Sequence, residues 1–528
     1  MTNSFIDNIR HDVKFKSKLH ILIAASTIIR LLTACSLELG NDESYYRGYA
    51  LHLQWNYFDH PPLVALLIRA TTLNGFLNHE LFFRLGSILC AAVNTYLIYA
   101  IAKKIAGERS AWFAACLFTF SFYSSIIAGT FILPDAPQLF FWLLSIWFMI
   151  LINAGNPSVR NWILLGVCMG CCIMSKVHGI FLWVGFGGYI LFGRRDLLRT
   201  PYLYISLLIT LVIISPIYFW NLSNHFITYT YHKSRFGIFS KKPDLDDLLQ
   251  QVLGSIFYNN PVNYFVYVLT IISLWKRKIV FPAVSKLLLW LSLPLILVLL
   301  FMSLFNDTLP HWSGPAYTCI LILAASWLDK IYTKRFPAPL IVSGILFLFV
   351  VVVGALAVNF LPFRIGSGDK RYLGKGDITL DMSGWKGFSG KFDSIYLSDT
   401  RSGIMKPGAT IISDYWFPAG HLDYYVARPH GINILAIGPL PDIHHYAWLN
   451  AYRKQLQKGD DAYFIYPSNY YGPPKSSLSG CFEKVDDSIL CTQYRSGIPV
   501  RNFVIYRMHG ALPDRLQQLS YTVASLPK

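Results

Sequence analysis

Two acidic residues stand side by side where the first long apolar run of the chain ends. They are Asp42 and Glu43, and the same stretch, residues 42–62, closes on Asp59 and His60 followed by two prolines. Ionisable side chains at the mouth of a membrane span are costly to hold, so they are candidates for function by default. A carboxylate in that place could take the proton of an attacking hydroxyl group. The spacing therefore predicts that this loop is catalytic.

The composition predicts that a membrane protein carries the loop. Of the 528 residues, 54% are hydrophobic and only 14% are charged, and the mean hydropathy is +0.41. A soluble protein carries about 25% charged residues. Apolar runs of spanning length predict about 11 transmembrane helices. They lie near residues 19–37, 80–102, 110–128, 138–153, 161–175, 177–192, 201–220, 261–275, 281–304, 314–329 and 338–361.

Lysine and arginine gather in alternate loops, and this alternation predicts the orientation. Short basic loops stay in the cytoplasm, and the N-terminal tail is one of the basic segments, so the N-terminus is expected inside. The outer loops are then 38–79, 129–137, 221–260 and 305–313. An odd number of spans places the chain after residue 362 outside as well. The net charge of +17 fits contact with anionic membrane lipids better than nucleic-acid binding.

Composition also predicts two domains. Residues 1–362 form the membrane part, whereas residues 363–528 contain short alternating segments between turn signals and predict a separate extracytoplasmic α/β or α+β domain. That domain holds Cys481 and Cys491, and the other seven cysteines lie in or beside apolar runs. Because an extracytoplasmic compartment favours disulfides, these two are expected to pair. In the membrane part, Asp244 predicts the cap of an amphipathic helix.

Sugar transfer from a lipid-phosphate carrier is one chemistry that needs carboxylates on the outer face. The enzyme must supply a base, and cations that steady the departing phosphate. Asp42 or Glu43 suits the first role. The candidate cations near the outer face are Lys176, Lys233 and Arg235. The aromatic residues of the first loop could line a groove for sugar or polyprenol, or anchor the loop at the interface; they are Trp55, Tyr57 and Phe58.

Other polar residues allow two interpretations each. Asp59 and His60 could hold a divalent metal, or could form hydrogen bonds within the loop. Asp135, in the second outer loop, could take part in catalysis or cap a helix. His311 could contact substrate or pack against a neighbouring loop. The chemistry itself requires no cofactor, and a divalent metal is an option at the Asp59 and His60 pair alone.

Six motifs in order resemble the GT-C glycosyltransferases of the protein O-mannosyltransferase and lipid A aminoarabinosyltransferase superfamily. They are DESYY and YFDHPP in the first loop, LPDAP at 133–137, SKVHG at 175–179, FWNLSNH at 219–225 and PHWSGPAY at 310–317. The resemblance covers residues 19–360. It implies a GT-C fold, a polyprenyl-phosphate-sugar donor and an inverting single displacement. Asp42 would be the base with Glu43 beside it, and Tyr46 of DESYY joins the substrate-binding candidates.

The resemblance leaves the substrates open. The aminoarabinosyltransferase branch has a motif like FEKP where this chain has Phe58-Asp59-His60-Pro61, so the sugar and the carrier are in question. The acceptor could be a lipid, a protein or an envelope glycan. The implied location is a bacterial-type inner membrane, with several spans, the N-terminus inside and the C-terminal domain outside.

A transporter or flippase of polyprenyl-linked sugars is the rival interpretation. Transporters place ionisable residues near the bilayer midplane, often between related halves. This chain concentrates them at one face and shows no internal repeat. Glycosyl transfer is therefore the predicted function.

Overall fold

The computed structural model describes residues 2–155, 158–235, 242–276 and 284–519, with side chains from residue 15 onward except 232–235. The chain divides into two compact units. The first comprises Met1–Ala34 and His60–Val351, and the second comprises Cys35–Asp59 and Val352–Lys528. The predicted boundary at residue 362 therefore misses residues 35–59, which fold with the second unit although they lie far from it in sequence.

Helices dominate the chain up to residue 360. They are α1 Thr2–Ser36, α2 Asn41–Leu51, α3 Leu63–Thr71, α4 Glu80–Ala106, α5 Glu108–Phe120, α6 Asp135–Asn153, α7 Val159–Ser175, α8 Phe181–Gly193, α9 Pro201–Ser223, α10 Ile227–Arg235, α11 Leu245–Tyr258, α12 Pro261–Trp275, α13 Ser285–Met302, α14 Gly314–Ile331 and α15 Ala338–Phe360. The segment predicted as the first outer loop contains α2 and α3, so nearly half of it is helical. The predicted cap is confirmed, because the Asp244 side chain accepts a hydrogen bond from Asp246 N at 2.8 Å.

The apolar helices confirm a polytopic membrane protein in outline. Within the described residues, six are long and apolar enough to cross a membrane: Phe15–Ser36, Glu80–Ala106, Asp135–Asn153, Pro201–Ser223, Ser285–Met302 and Ala338–Phe360. Shorter apolar helices lie at Val159–Ser175, Val177–Gly193 and Pro261–Trp275. Each of the predicted spans overlaps a helix, and the total of about 11 crossings remains a prediction.

Glycines allow close packing between helices of the first unit. A Cβ on Gly166 of α7 would lie 2.5 Å from the carbonyl oxygen of Ser206 on α9. A Cβ on Gly185 of α8 would lie 2.3 Å from the carbonyl oxygen of Trp290 on α13. Small residues at such crossings let helix backbones approach closely, which is how helices associate in a membrane.

The second unit contains a mixed six-stranded sheet. Its strands are β1 Thr410–Ser413, β2 Ile434–Ala436, β3 Ala462–Pro467, β4 Phe482–Val485, β5 Ile489–Arg495 and β6 Ile498–Ala511. The order is β2-β1-β3-β6-β4, and β5 also pairs with β6. The first three strands are parallel and β6 is antiparallel to its partners. Further helices are α16 Trp385–Arg401, α17 Trp416–His421, α18 Leu440–Ile443, α19 Tyr446–Leu449, α20 Ser476–Ser479 and α21 Pro513–Leu519.

The predicted disulfide between Cys481 and Cys491 is not formed, and both buried thiols are free. Cys481 lies beside the end of β6, where its carbonyl oxygen accepts from Leu512 N at 2.8 Å. Cys491 lies opposite Phe503 near the middle of β6. Phe503 and Leu512 are nine residues apart, which corresponds to about 30 Å along a strand. The Cα atoms of a disulfide must lie within about 7 Å, so this strand pairing prevents the bond.

Candidate active site

Helix α2 gives the two adjacent acids of the first loop different environments. The carboxylate of Glu43 accepts a hydrogen bond from Gly40 N at 2.8 Å, and the side chain is only 2% exposed. This contact satisfies a backbone N–H at the start of the helix. Asp42, in the same first turn, is exposed. Glu43 therefore stabilises the start of the helix from a buried position, whereas Asp42 is solvent-exposed.

Polar contacts within the second unit fix the start of α2. Oδ1 of Asn41 lies 3.0 Å from Nε2 of His421, whose ring stacks on Trp385 at 4.3 Å. Burial lowers the pKa of His421 well below its ordinary value, so its ring is neutral. The hydroxyl of Tyr470 donates to Asp381 at 2.8 Å. Burial raises the pKa of Asp381, and a hydrogen bond with Asn41 opposes that rise. The residue before Asp42 is thus held on two sides.

Tyrosines hold Asp59 at the other end of this segment. The hydroxyl of Tyr45 donates to Oδ1 of Asp59 at 3.3 Å, and the hydroxyl of Tyr49 donates to the same oxygen. Tyr46 is buried, with its ring 5.7 Å from Tyr45 and 5.4 Å from Tyr49. This burial favours packing over substrate contact for Tyr46. The hydrogen bonds from Tyr45 and Tyr49 favour the interpretation of Asp59 as a hydrogen-bonding loop residue.

The described residues add no third ligand to the predicted metal pair. Asp59 ends a segment of the second unit, whereas His60 begins a segment of the first. Among the described residues, no group of three or more histidine, cysteine, aspartate or glutamate side chains could hold a metal ion.

The aromatic residues before Asp59 differ in exposure. Trp55 is 71% exposed, whereas Tyr57 and Phe58 are buried. Tyr57 stacks on Tyr49 at 4.0 Å, and its hydroxyl donates to the Tyr49 carbonyl oxygen at 3.0 Å. Of the three, only Trp55 keeps both of its predicted roles, as an interfacial anchor or as part of a groove.

A buried ion pair lies inside the first unit. Nζ of Lys176 lies 2.8 Å from Oδ2 of Asp135, and the two side chains are 5% and 2% exposed. The hydroxyl of Tyr123 donates to the other oxygen, Oδ1, at 3.2 Å. The N-cap position of α6 is Pro134, so Asp135 is not the cap of this helix. Its carboxylate instead pairs with Lys176, at the C-terminal end of α7.

His311 belongs to the same cluster. Its ring lies 5.7 Å from that of Tyr258, and its neighbour Trp312 lies under the Lys176 ammonium at 5.8 Å. Burial lowers the pKa of His311 to about 4; the charge of Asp135 opposes this shift and that of Lys176 adds to it. The structure thus brings together Asp135, Lys176 and His311, which the sequence places in three separate loops.

The chain resembles known proteins in both sequence and fold. Residues 59–220 match the family described as dolichyl-phosphate-mannose-protein mannosyltransferase. Lipid A galacturonosyltransferase RgtD of Rhizobium johnstonii is 22% identical over 402 residues, which are 74% of this chain and 80% of the relative. The apo crystal structure of ArnT from Cupriavidus metallidurans covers 93% of this chain and 98% of its own, with a TM-score of 0.58 and 15% identity. ArnT bound to undecaprenyl phosphate matches with the same TM-score and coverage, at 14% identity.

The chain is a GT-C glycosyltransferase. The sequence matches support the protein O-mannosyltransferase and ArnT-like superfamily, and the likeness to ArnT shows the fold. These matches support the superfamily predicted from the ordered motifs.

One residue of this glycosyltransferase's buried cluster gave no signal in the sequence. Tyr123 lies in the apolar run that predicts a span near residues 110–128, yet it contacts Asp135 from the short π-helical segment Tyr123–Ile127. A Cβ on Gly314 would lie 2.4 Å from the Tyr123 ring, so that glycine makes room for it. Two predicted phosphate ligands, Lys233 and Arg235, fall outside the residues whose side chains are described.

The environment of His311 predicts a pH dependence of the glycosyltransferase's stability. A histidine in an unfolded chain titrates near pH 6.5, and burial lowers the pKa of His311 to about 4. Between these values the unfolded state binds more protons, so stability falls as the pH falls from about 6.5 to about 4. We expect His311→Asn to weaken this dependence, measured as the melting temperature at pH 7.5 and at pH 4.5.

The matched control is His225→Asn. His225 is exposed and has a φ of +53°, a conformation that asparagine also adopts readily. This variant should keep the parent's pH dependence. If the parent and His311→Asn show the same change in melting temperature between pH 7.5 and pH 4.5, His311 is not the source of the pH dependence.

Proposed function

We propose that this enzyme transfers a sugar from a polyprenyl-phosphate carrier to an acceptor hydroxyl, with inversion, and that Asp42 is the base. The observation that carries the proposal is the separation of the two acids on α2. Glu43 is buried and bonded to the backbone, whereas Asp42 is exposed in the first turn. We therefore expect Asp42 to meet the acceptor, since Glu43 could do so only by giving up its hydrogen bond with Gly40 N.

The choice of donor rests on the related proteins. One matching family is described by dolichyl-phosphate-mannose, and one matching ArnT structure is bound to undecaprenyl phosphate. Dolichyl phosphate and undecaprenyl phosphate are both polyprenyl phosphates. The outer leaflet is the proposed site of reaction, with the N-terminus inside and the C-terminal unit outside.

The proposed chemical step is a single displacement. The carboxylate of Asp42 takes the acceptor hydroxyl proton while the hydroxyl oxygen forms a bond to the anomeric carbon. The bond between that carbon and the phosphate oxygen breaks, and the polyprenyl phosphate leaves with the electron pair. Attack on the face opposite the leaving group inverts the anomeric configuration.

In the first unit, Lys176 is the proposed ligand of the donor phosphate. Asp135 accepts one N–H of its ammonium, which has three donors. The ion pair and the ring of Trp312 fix the position of the charge, so little reorganisation is needed when a phosphate binds. Tyr123 holds the far oxygen of Asp135 and keeps the carboxylate turned toward Lys176.

The test is transfer by the purified protein in lipid nanodiscs. A panel of polyprenyl-phosphate sugars with radiolabelled sugar is mixed with membrane extract, and the product linkage is determined by NMR. We expect label to move from one donor to an acceptor with inverted configuration. A product of retained configuration would contradict the single displacement. Label that crosses the membrane of proteoliposomes without joining an acceptor would favour the transporter.

A further inference from the structure

The sheet of the second unit has a switch point at the carboxyl ends of β1 and β3. From β1 the chain passes to β2 on one side, then returns to β3 on the other side of β1. The loops that leave β1 and β3 therefore diverge. A crevice at such a position is where open parallel sheets bind ligands.

Aromatic and charged side chains occupy both loops at this edge. Tyr415 follows β1 and Tyr471 follows β3, and their rings stack at 4.0 Å with an interplanar angle of 23°. Lys475 lies 5.5 Å from the Tyr415 ring and 3.1 Å from Oδ2 of Asp442. Asp414 is 8% exposed, and burial raises its pKa to about 6. Flat apolar rings and hydrogen-bonding groups thus stand next to each other.

A row of rings connects this edge with the start of α2. The ring of Tyr471 lies 5.3 Å from Phe417, which lies 5.0 Å from Tyr470. Tyr470 donates to Asp381, the carboxylate that also interacts with Asn41. Asn41 directly precedes the proposed base, so the row leads from the switch point to the first turn of α2. Tyr470 is 44% exposed and Tyr471 is half-buried, so a ligand can reach both.

We propose that Tyr415, Tyr471, Asp414 and Lys475 form a binding site for a sugar residue of the acceptor. The apolar face of a sugar ring packs on tyrosine rings, while its hydroxyls donate to carboxylates and accept from an ammonium. The proposal rests on the proposed function, and it assigns the acceptor to the carbohydrate-bearing class. A peptide acceptor that added a strand beside the switch point would pair with the edge strand β2, yet β2 has three residues and all are buried.

The first experiment measures binding by the full-length protein in nanodiscs to an array of bacterial envelope oligosaccharides. The parent should bind a subset of them, and Tyr471→Ala should lose about tenfold in affinity, which a stacking contact of about 1.4 kcal/mol would produce. Tyr471→Phe keeps the ring and should bind like the parent. The control is Tyr494→Ala on β5, a tyrosine that is 62% exposed and far from the switch point in the sheet order. A parent that binds no glycan, or variants that all bind equally, would overturn the proposal.

The second experiment separates this proposal from the proposed function. In the transfer assay, Tyr471→Ala and Asp414→Asn should raise KM for the acceptor about tenfold and leave KM for the donor unchanged. If Asp42→Asn stays active while these variants still lose glycan affinity, the base assignment fails and the sugar site stands. If transfer needs Asp42 but the acceptor KM does not respond to the Tyr471 and Asp414 changes, the sugar site is overturned. Binding of peptides in place of glycans would also overturn it.

Discussion

Replacing Asp42 with asparagine should lower the transfer rate about 10³-fold without unfolding the protein. A positioned base contributes roughly 10²–10⁴-fold to such a reaction, and asparagine cannot accept the acceptor proton at neutral pH. Asp42 is exposed on the first turn of α2, so the change removes little packing. The measurement is kcat with saturating donor and acceptor, together with the melting temperature of each purified protein.

The matched control is Glu43→Gln on the same helical turn. The amide oxygen of glutamine can still accept from Gly40 N, but it lacks the charge that favours a helix N-terminus. We expect a loss of about 1 kcal/mol in stability, with kcat within about tenfold of the parent. If Asp42→Asn transfers sugar at the parent rate, Asp42 is not the base. If Glu43→Gln alone loses transfer while it remains folded, the base is Glu43.

Residue type and spacing could not separate these two acids, and only the resemblance to the superfamily favoured Asp42. Their side chains are chemically alike and adjacent, and both lie where a functional acid is expected. What distinguishes them is the start of α2, because only the third residue of the helix can reach back to the N–H of Gly40. The sequence predicts a loop for this segment, so it assigns no helix position to either acid.

Contacts between residues far apart in the chain explain the other differences between the sequence predictions and the structure. Apolar runs of spanning length predict helices well because length and hydropathy are local properties. The partner of Asp135 is 41 residues away, so a local analysis had to leave the helix cap open beside the catalytic role. The disulfide prediction failed for a similar reason, because the pairing of β4 and β5 along β6 is not visible in the spacing of two cysteines.

The sequence also did not predict that residues 35–59 fold with the second unit. The composition changes at residue 362, and this change predicts a second domain made of one continuous stretch. It gives no sign that residues 35–59 fold with that domain. The buried face of α2 is rich in tyrosine, and its contacts are with distant residues: Tyr45 accepts from His445 N at 3.0 Å, and Arg47 pairs with Asp423 at 3.1 Å. Such contacts depend on the tertiary structure rather than on any local pattern.

Breaking the ion pair between Lys176 and Asp135 should destabilise the protein strongly, because both side chains are buried. Asp135→Asn leaves a buried ammonium without its countercharge, and removing one partner of a buried pair costs about 3–5 kcal/mol. Lys176→Met leaves the carboxylate unpaired and should cost a similar amount. The double variant removes both charges, so it should recover most of the loss. Thermal unfolding of the four proteins measures this cycle.

The control for the cycle is Arg194→Met, which breaks the exposed pair with Asp196 and should lower the melting temperature far less than either buried single change. Activity then distinguishes a structural pair from a phosphate ligand. If the pair only stabilises the fold, the double variant regains transfer together with stability. If Lys176 binds the donor phosphate, the double variant is folded but its KM for the donor stays raised, because methionine offers the phosphate no donor. A cycle with additive losses would show that the two charges do not stabilise each other, and the proposed positioning of Lys176 by Asp135 would fail with it.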